Sequence, residues 1–402
     1  MTKNKIVSIY LIVLLYAVYL TILGQLLPRI IEDYSLSMSG AGLFSTLQSL
    51  GGITAVFSCI FVVDAFNKVK IFGACAVLLS ITTLIIGLTP QIIIVYVTFA
   101  VLGIATGFID ILSNVVIADR TSGKRQRLLI NLLHGFFSTG AVAGPILAEA
   151  VSSSLRWSMV FVGFAIALLI CAVIYHYSYR NDVKQPLKQR LVDKNVFRIA
   201  VDVLHKRGMK CVALSSICTN FFLVGIIYWL STFMSSFENN YSHGALGLSL
   251  FFAGVMVSRL GLSKLSTRIN AAVLVGVGSL CASVLFIAGL LVASPYAAAV
   301  LFLLCGAALG PVFPQTVSMA CHIAQGSAGT ASGFVFFGFI VGNMISPLAI
   351  GAVADIQGMG LKYALIVPAM INIIGAVAAL CVRSIMRSVA KRAVESFESE
   401  EV

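Results

Sequence analysis

The residue of this chain best placed to do chemistry is a carboxylate in the middle of an apolar run. Asp110 stands in Gly107-Phe108-Ile109-Asp110-Ile111-Leu112-Ser113-Asn114, ten residues before Arg120. On a helix that separation is about 15 Å. Asn114 falls one turn further along the same face, so the two form a polar stripe. Held away from bulk water, such a carboxyl can gain and lose a proton near neutral pH, as a proton-coupled carrier requires. A helix–helix hydrogen bond or a salt bridge is the alternative use. His134 lies seven residues in from Arg127 on the following apolar run, at a depth close to that of Asn114. Its imidazole titrates in the right range to share a proton with Asp110 or to bond a solute, and a packed histidine is the competing reading.

Further polar residues are scattered through the other apolar runs. Tyr16, Tyr19 and Gln25 precede Pro28 and Arg29; Asn220, Tyr228 and Trp229 share a later run; Gln315 follows Pro311 and Pro314; Asn343 stands where an earlier run has Pro145. Aromatic rings with amides suit stacking on sugar rings while bonding their hydroxyls. Tyr228 and Trp229 equally fit an anchoring role at the membrane surface. Glu149 and Arg259 fit a gate or a paired charge.

These residues must be positioned by membrane-spanning helices. Of the 402 residues, 59% are hydrophobic and 10% charged, against about 25% charged in soluble domains, and the mean hydropathy is +1.02. That excludes a cytosolic enzyme, a secreted domain and a disordered chain. The net charge of +12 is not a nucleic-acid footprint, because the basic residues sit in short clusters between apolar runs, as topology signals do. The nine cysteines form no C-x-x-C pair and read as packing residues. Zinc-protease, nucleotide-loop and serine-elbow motifs are absent from the sequence, so no metal, no cofactor and no enzyme activity is expected. The start, MTKNK followed at once by apolar residues, reads as a retained first span.

A span needs about 20 apolar residues. Twelve are expected, at 6–31, 40–63, 69–89, 91–118, 128–151 and 157–178, then 209–235, 244–263, 270–293, 296–320, 327–353 and 361–383. The expected organisation is an all-α integral membrane protein: an N-terminal six-helix bundle (1–178), a cytoplasmic linker (179–208) and a C-terminal bundle with a cytoplasmic tail (209–402). The linker carries an amphipathic stretch, Val196 to Leu204, suited to the membrane surface. With both termini cytoplasmic, 23 of 27 Lys/Arg fall on the cytoplasmic side. Multi-pass insertion in the plasma (inner) membrane is expected, as a monomer contacting lipid. The halves repeat. Gly103-x-x-x-Gly107 recurs as Gly306-x-x-x-Gly310 at an offset of 203, and Gly135-Phe136-x-x-x-Gly140-x-x-x-Gly144 recurs as Gly333-Phe334-x-x-x-Gly338-x-x-x-Gly342 at 198. Small residues at this spacing let helices pack closely.

With twelve spans, a 6+6 duplication and a basic central loop, the chain resembles the major facilitator superfamily. That likeness implies rocker-switch transport around a central site. The superfamily's loop 2–3 signature survives as Asp64-Ala65-Phe66-Asn67-Lys68-Val69-Lys70, which implies a gating role for Asp64. Gly107, Asp110 and Asn114, with Asn131-Leu132-Leu133-His134-Gly135-Phe136-Phe137-Ser138, resemble the fucose–proton symporter-like carriers. This resemblance implies that Asp110 is the protonatable group beside a sugar site that includes Asn131. Those symporters have a second carboxylate in span 1, where the nearest position here is Gln25. Gly140-x-x-x-Gly144-Pro145 is similar to half of the span 5 signature of drug–proton antiporters, and implies a helix that flexes during gating. The resulting expectation is a proton-coupled carrier of a small polar solute, a sugar or sugar derivative, with drug export as the alternative.

Overall fold

Backbone N–H and C=O groups in lipid must be bonded within their own segment, so long apolar runs become helices. The computed structural model describes residues 2–65, 67–180, 196–261, 269–324 and 327–400. The first six helices are α1 (Lys3–Tyr34), α2 (Met38–Ala65), α3 (Lys68–Leu88), α4 (Ile92–Ala118), α5 (Gly123–Ser152) and α6 (Trp157–Tyr179). A short α7 (Val196–His205) is followed by α8 (Met209–Ser235), α9 (Tyr241–Gly261), α10 (Ala271–Leu291), α11 (Pro295–Leu309) and α12 (Val312–Ile323). The chain ends with α13 (Ala328–Ala354), α14 (Gly360–Ala364) and α15 (Ile366–Glu400). Eleven segments among the described residues are long and apolar enough to cross a membrane, α11 with α12 and α14 with α15 each counting as one. The 28-residue α2 takes the place of the second expected span.

Two boundaries and the use of one helix face differ from the sequence expectation. The span expected at 296–320 is divided at Gly310-Pro311, since proline has no N–H to continue the ladder. The last helix runs on to Glu400, past the expected end of the span at 383. In α7 the apolar face is partly used by the protein itself. Val203 is buried with Met209, Val212, Ala272, Met319 and Val382 rather than left for the membrane surface.

Lipid-facing surface is visible on α4, where Ile93, Val97 and Val101, spaced four apart, are exposed. Val95, Phe99 and Leu102 of the same helix are buried. A helix apolar on both faces fits a bundle with protein on one side and hydrocarbon on the other.

The chain forms two compact units. Unit 1 holds residues 1–191 together with 226–252 and 347–364; unit 2 holds 192–225, 253–346 and 365–402. In this contact grouping parts of α8, α9 and α13 fall with the N-terminal helices.

Within the units the repeat is physical. In unit 1 a methyl on Gly51 would strike the Ala100 carbonyl, and one on Gly107 would meet Gly52 and Ala55. In unit 2, at the same offset of 203, a methyl on Gly254 would strike the Leu303 carbonyl, and one on Gly310 would meet Val255 and Ser258. The helix starts repeat too. Asn67 caps α3 by accepting from Val69 N–H, and Asn270 caps α10 by accepting from Ala272 N–H. Gly140 and Gly144 pack α5 on Leu14, Val18 and Thr21 of α1, and Gly338 and Gly342 pack α13 on Ser216 and Asn220 of α8.

Candidate functional site

Close packing of α4 on α2 at Gly103 and Gly107 leaves another face of α4 for Asp110. That residue sits deep among protein atoms yet is exposed, so its side chain reaches open space rather than a packed core. Its carboxylate has no hydrogen bond and no ion pair among the described residues. Only its backbone carbonyl is engaged, by Ser113 Oγ at 3.0 Å and Asn114 Nδ2 at 3.1 Å. The expected stripe therefore exists, but the amide is tied to backbone and not to the carboxylate. The Tyr16 phenol of α1 is close enough to interact electrostatically with Asp110, and its ring packs edge-on against Phe137 at 6.0 Å. On α5, Asn131 and His134 are both exposed. Ser138 Oγ donates to the His134 carbonyl at 2.9 Å.

The remaining candidates separate into two groups. Tyr19 is buried and donates to Gln48 Oε1 at 3.2 Å. Gln25 is wholly enclosed. Its Nε2 donates to Glu149 Oε2 and to the Tyr241 carbonyl, both at 3.0 Å, while its Oε1 accepts from Ser231 Oγ. Tyr228 and Trp229 are buried, the first donating to the Ala41 carbonyl and the second to the Pro347 carbonyl at 3.1 Å. A surface-anchoring role for this pair is thereby corrected. Glu149 forms a two-pronged ion pair with Arg29, at 2.9 and 3.1 Å.

In unit 2, Asn220 is buried and donates to the Ser216 carbonyl and hydroxyl. Gln315 and Asn343 are half-buried. Arg259 Nε donates to the Gly310 carbonyl at 3.1 Å. In an unbroken helix that carbonyl would accept from residue 314, but Pro314 has no N–H to give. Arg259 fills the vacancy left by the proline break. Gly140 and Gly144 are buried packing points and Pro145 is buried inside the continuous α5. Asp64 falls in the last turn of α2, and its side chain lies outside the described residues.

A family model described as the Major Facilitator Superfamily matches residues 9–339. The chain belongs to that superfamily. An uncharacterised MFS-type transporter of Yersinia pestis is 22% identical over 336 residues, 81% of this chain and 80% of that one. An MFS-type transporter of Metarhizium majus is 24% identical over 164 residues, 40% of this chain and 28% of its own length. An efflux pump of Aspergillus parasiticus is 24% identical over 158 residues, 39% and 30% of the two chains. This chain thus aligns with less than a third of the length of either fungal protein. Among solved structures, a bacterial homologue of the human lysosomal transporter Spinster, inward-facing and unoccupied, superposes with a TM-score of 0.75 at 18% identity, over 96% of this chain and 98% of that one. The nucleoside transporter NupG gives 0.76 at 14% identity, over 94% and 100%. The architecture is the all-helical fold of the Major Facilitator Superfamily, and the protein is a multi-pass integral membrane protein.

Four further residues bonded across long sequence separations give no signal in the sequence. Gln48, Glu32 and Ser231 are ordinary polar residues within or beside apolar runs, and they matter only because of partners far away in the chain. Asp355 accepts from Met38 N at 2.9 Å, Ser39 N at 2.8 Å and Ser39 Oγ at 2.6 Å. Burial alone would raise its proton affinity, but these three donors hold its carboxyl below the usual value. A lone aspartate just past an apolar run gave no sign that it caps a helix 316 residues earlier.

Proposed function

We propose that this protein is a proton-coupled secondary transporter that moves a small polar solute, a sugar or sugar derivative, by alternating access. The observation that carries the reading is the Asp110 carboxylate, unpartnered among the described residues and reaching open space in the middle of a spanning helix. Leaving a charge unpaired there is costly, and a structural role would have given it a partner. Protonation removes the cost, so the loaded and empty carboxyl favour different surroundings. His134 on α5 is the second proton-handling group. Asn114 and Asn131 supply amides for solute hydroxyls, and Tyr16 supplies an aromatic wall. Both termini are assigned to the cytoplasm on the distribution of Lys and Arg, and the working unit is taken as a monomer in the plasma membrane. Fold likeness to a nucleoside transporter supports a polar, sugar-bearing solute.

A second reading, export of amphipathic drugs against protons, is favoured by the relationship to an efflux pump. The glycines it would share, Gly140 and Gly144, are already accounted for by packing on α1. Purified protein in liposomes, with internal pH recorded while sugars, nucleosides and cationic drugs are added outside, separates the two. Internal acidification with one sugar or nucleoside, absent in Asp110→Asn, is the expected result. Proton movement in the opposite sense, and only with cationic drugs, would establish the exporter. Acidification that persists unchanged in Asp110→Asn would remove Asp110 from the coupling role.

A further inference from the structure

We propose that Gln25, Arg29 and Glu149 are positioning residues of the transport cycle: a lock that ties α8 and α9 to α1 and α5 and comes apart once per cycle. The proposal rests on the alternating-access reading but not on the identity of the solute or the coupling ion. A guanidinium and a carboxylate in apolar helices are expensive unless paired and fully bonded. Here the two are paired through a two-pronged contact, with side chains only 12% and 14% exposed. Glu149 Oε2 receives Arg29 and also the Gln25 amide. Gln25 passes the connection on, giving its second proton to the Tyr241 carbonyl of α9 and accepting from Ser231 of α8. The Arg29 guanidinium lies 3.8 Å from the centre of the Tyr241 ring, and the Tyr241 hydroxyl donates to Glu32 at 2.7 Å.

Glycines bring the backbones near enough for one short amide to span three helices. A methyl on Gly24 would strike the Ile227 carbonyl, and one on Gly244 would strike the Ser231 hydroxyl. Of the bonded side chains, Gln25, Arg29 and Glu32 belong to α1, Glu149 to α5, Ser231 to α8 and Tyr241 to α9. If α8 and α9 withdraw, Gln25 loses its bonds to Ser231 and Tyr241, the ring leaves Arg29, and the ion pair meets water. In water such a pair is worth little. The arrangement therefore favours the closed state and does not oppose opening once water has entered.

The test uses the full chain in membranes with Ala41→Cys as reporter; this reporter chain is the parent, and the unsubstituted chain is the blank. Ala41 is fully buried beneath the Tyr228 hydroxyl. Glu149→Gln should raise its labelling rate by a membrane-impermeant maleimide by at least about tenfold, a shift well within what an uncompensated buried charge can drive. Gln25→Leu should raise it less, and the double exchange Arg29→Glu with Glu149→Arg should return it toward the parent rate. A merely structural role would lower yield without being reversed by the exchange. Parent-rate labelling in Glu149→Gln and Gln25→Leu chains that insert normally would overturn the lock. So would an exchange that restores neither insertion nor protection. Protons that fail to move in the liposome assay while labelling behaves as stated would fault the coupling reading alone.

Discussion

Two clamps in unit 1 hold later helices against earlier ones, and they are built from opposite materials. At one, Arg29 and Glu149 are enclosed, joined by Gln25 to Ser231 and Tyr241. At the other, Asp355 is exposed and caps the first turn of α2 through Met38 and Ser39. The first depends on charge held away from water, where removing one partner costs about 3–5 kcal/mol. The second depends on backbone fit. A methyl on Gly42 would strike the Pro347 carbonyl, and one on Gly351 the Met38 carbonyl, so α2 and α13 touch main chain to main chain. The Asp355 cap adds to this contact about the 1 kcal/mol of an ordinary helix cap. Ser37 already serves the same helix start, its Oγ accepting from Gly40 N–H at 3.0 Å. A carrier that must open needs contacts that are strong when dry and weak when wet, and only the first clamp has that character.

The largest expected effect is Arg29→Met, which leaves Glu149 buried and unpaired. The closed form should weaken by about 3–5 kcal/mol, read as faster labelling of the Ala41→Cys reporter and a lower melting temperature in detergent. Next is Gly351→Val, which should cost about 1–3 kcal/mol by overpacking. It should be read in the same melting temperature, as a smaller drop than Arg29→Met gives. Asp355→Asn should cost about 1 kcal/mol or less, with labelling near the parent rate; a loss as large as that of Arg29→Met would erase the contrast between the clamps.

The smallest effect is with pH. Because the Asp355 carboxyl is held below its ordinary value of 3.8, its contribution is complete at neutral pH and is lost as pH falls through the lowered value. Parent and Asp355→Asn melting temperatures should therefore converge as the medium is acidified below 3.8. A gap that widens on acidification would contradict the assignment.

Hydropathy made the helices legible, because each span must satisfy its own backbone and face lipid. The glycine spacings foretold close packing, and at Gly51, Gly107, Gly254 and Gly310 that packing repeats at a single offset. Polar residues were legible as candidates but not as partners. Gln25 looks like a solute ligand in sequence because its bonding partners Glu149 and Ser231 lie 124 and 206 residues away. Arg259 reads as a gate until the break at Pro311 and Pro314 shows which carbonyl needs a donor. Asp110 is the reverse case. Its depth could be counted from Arg120, while its lack of a partner could be learned only from the structure.

The central claim is that Asp110 couples solute movement to protons, and the most direct measurement compares two modes of transport in Asp110→Asn liposomes. Solute exchange at equal pH needs only the rocking of the protein around its load, whereas accumulation driven by a pH gradient needs the proton. The account predicts that the variant keeps exchange and loses accumulation. Accumulation that survives at the parent level would contradict it.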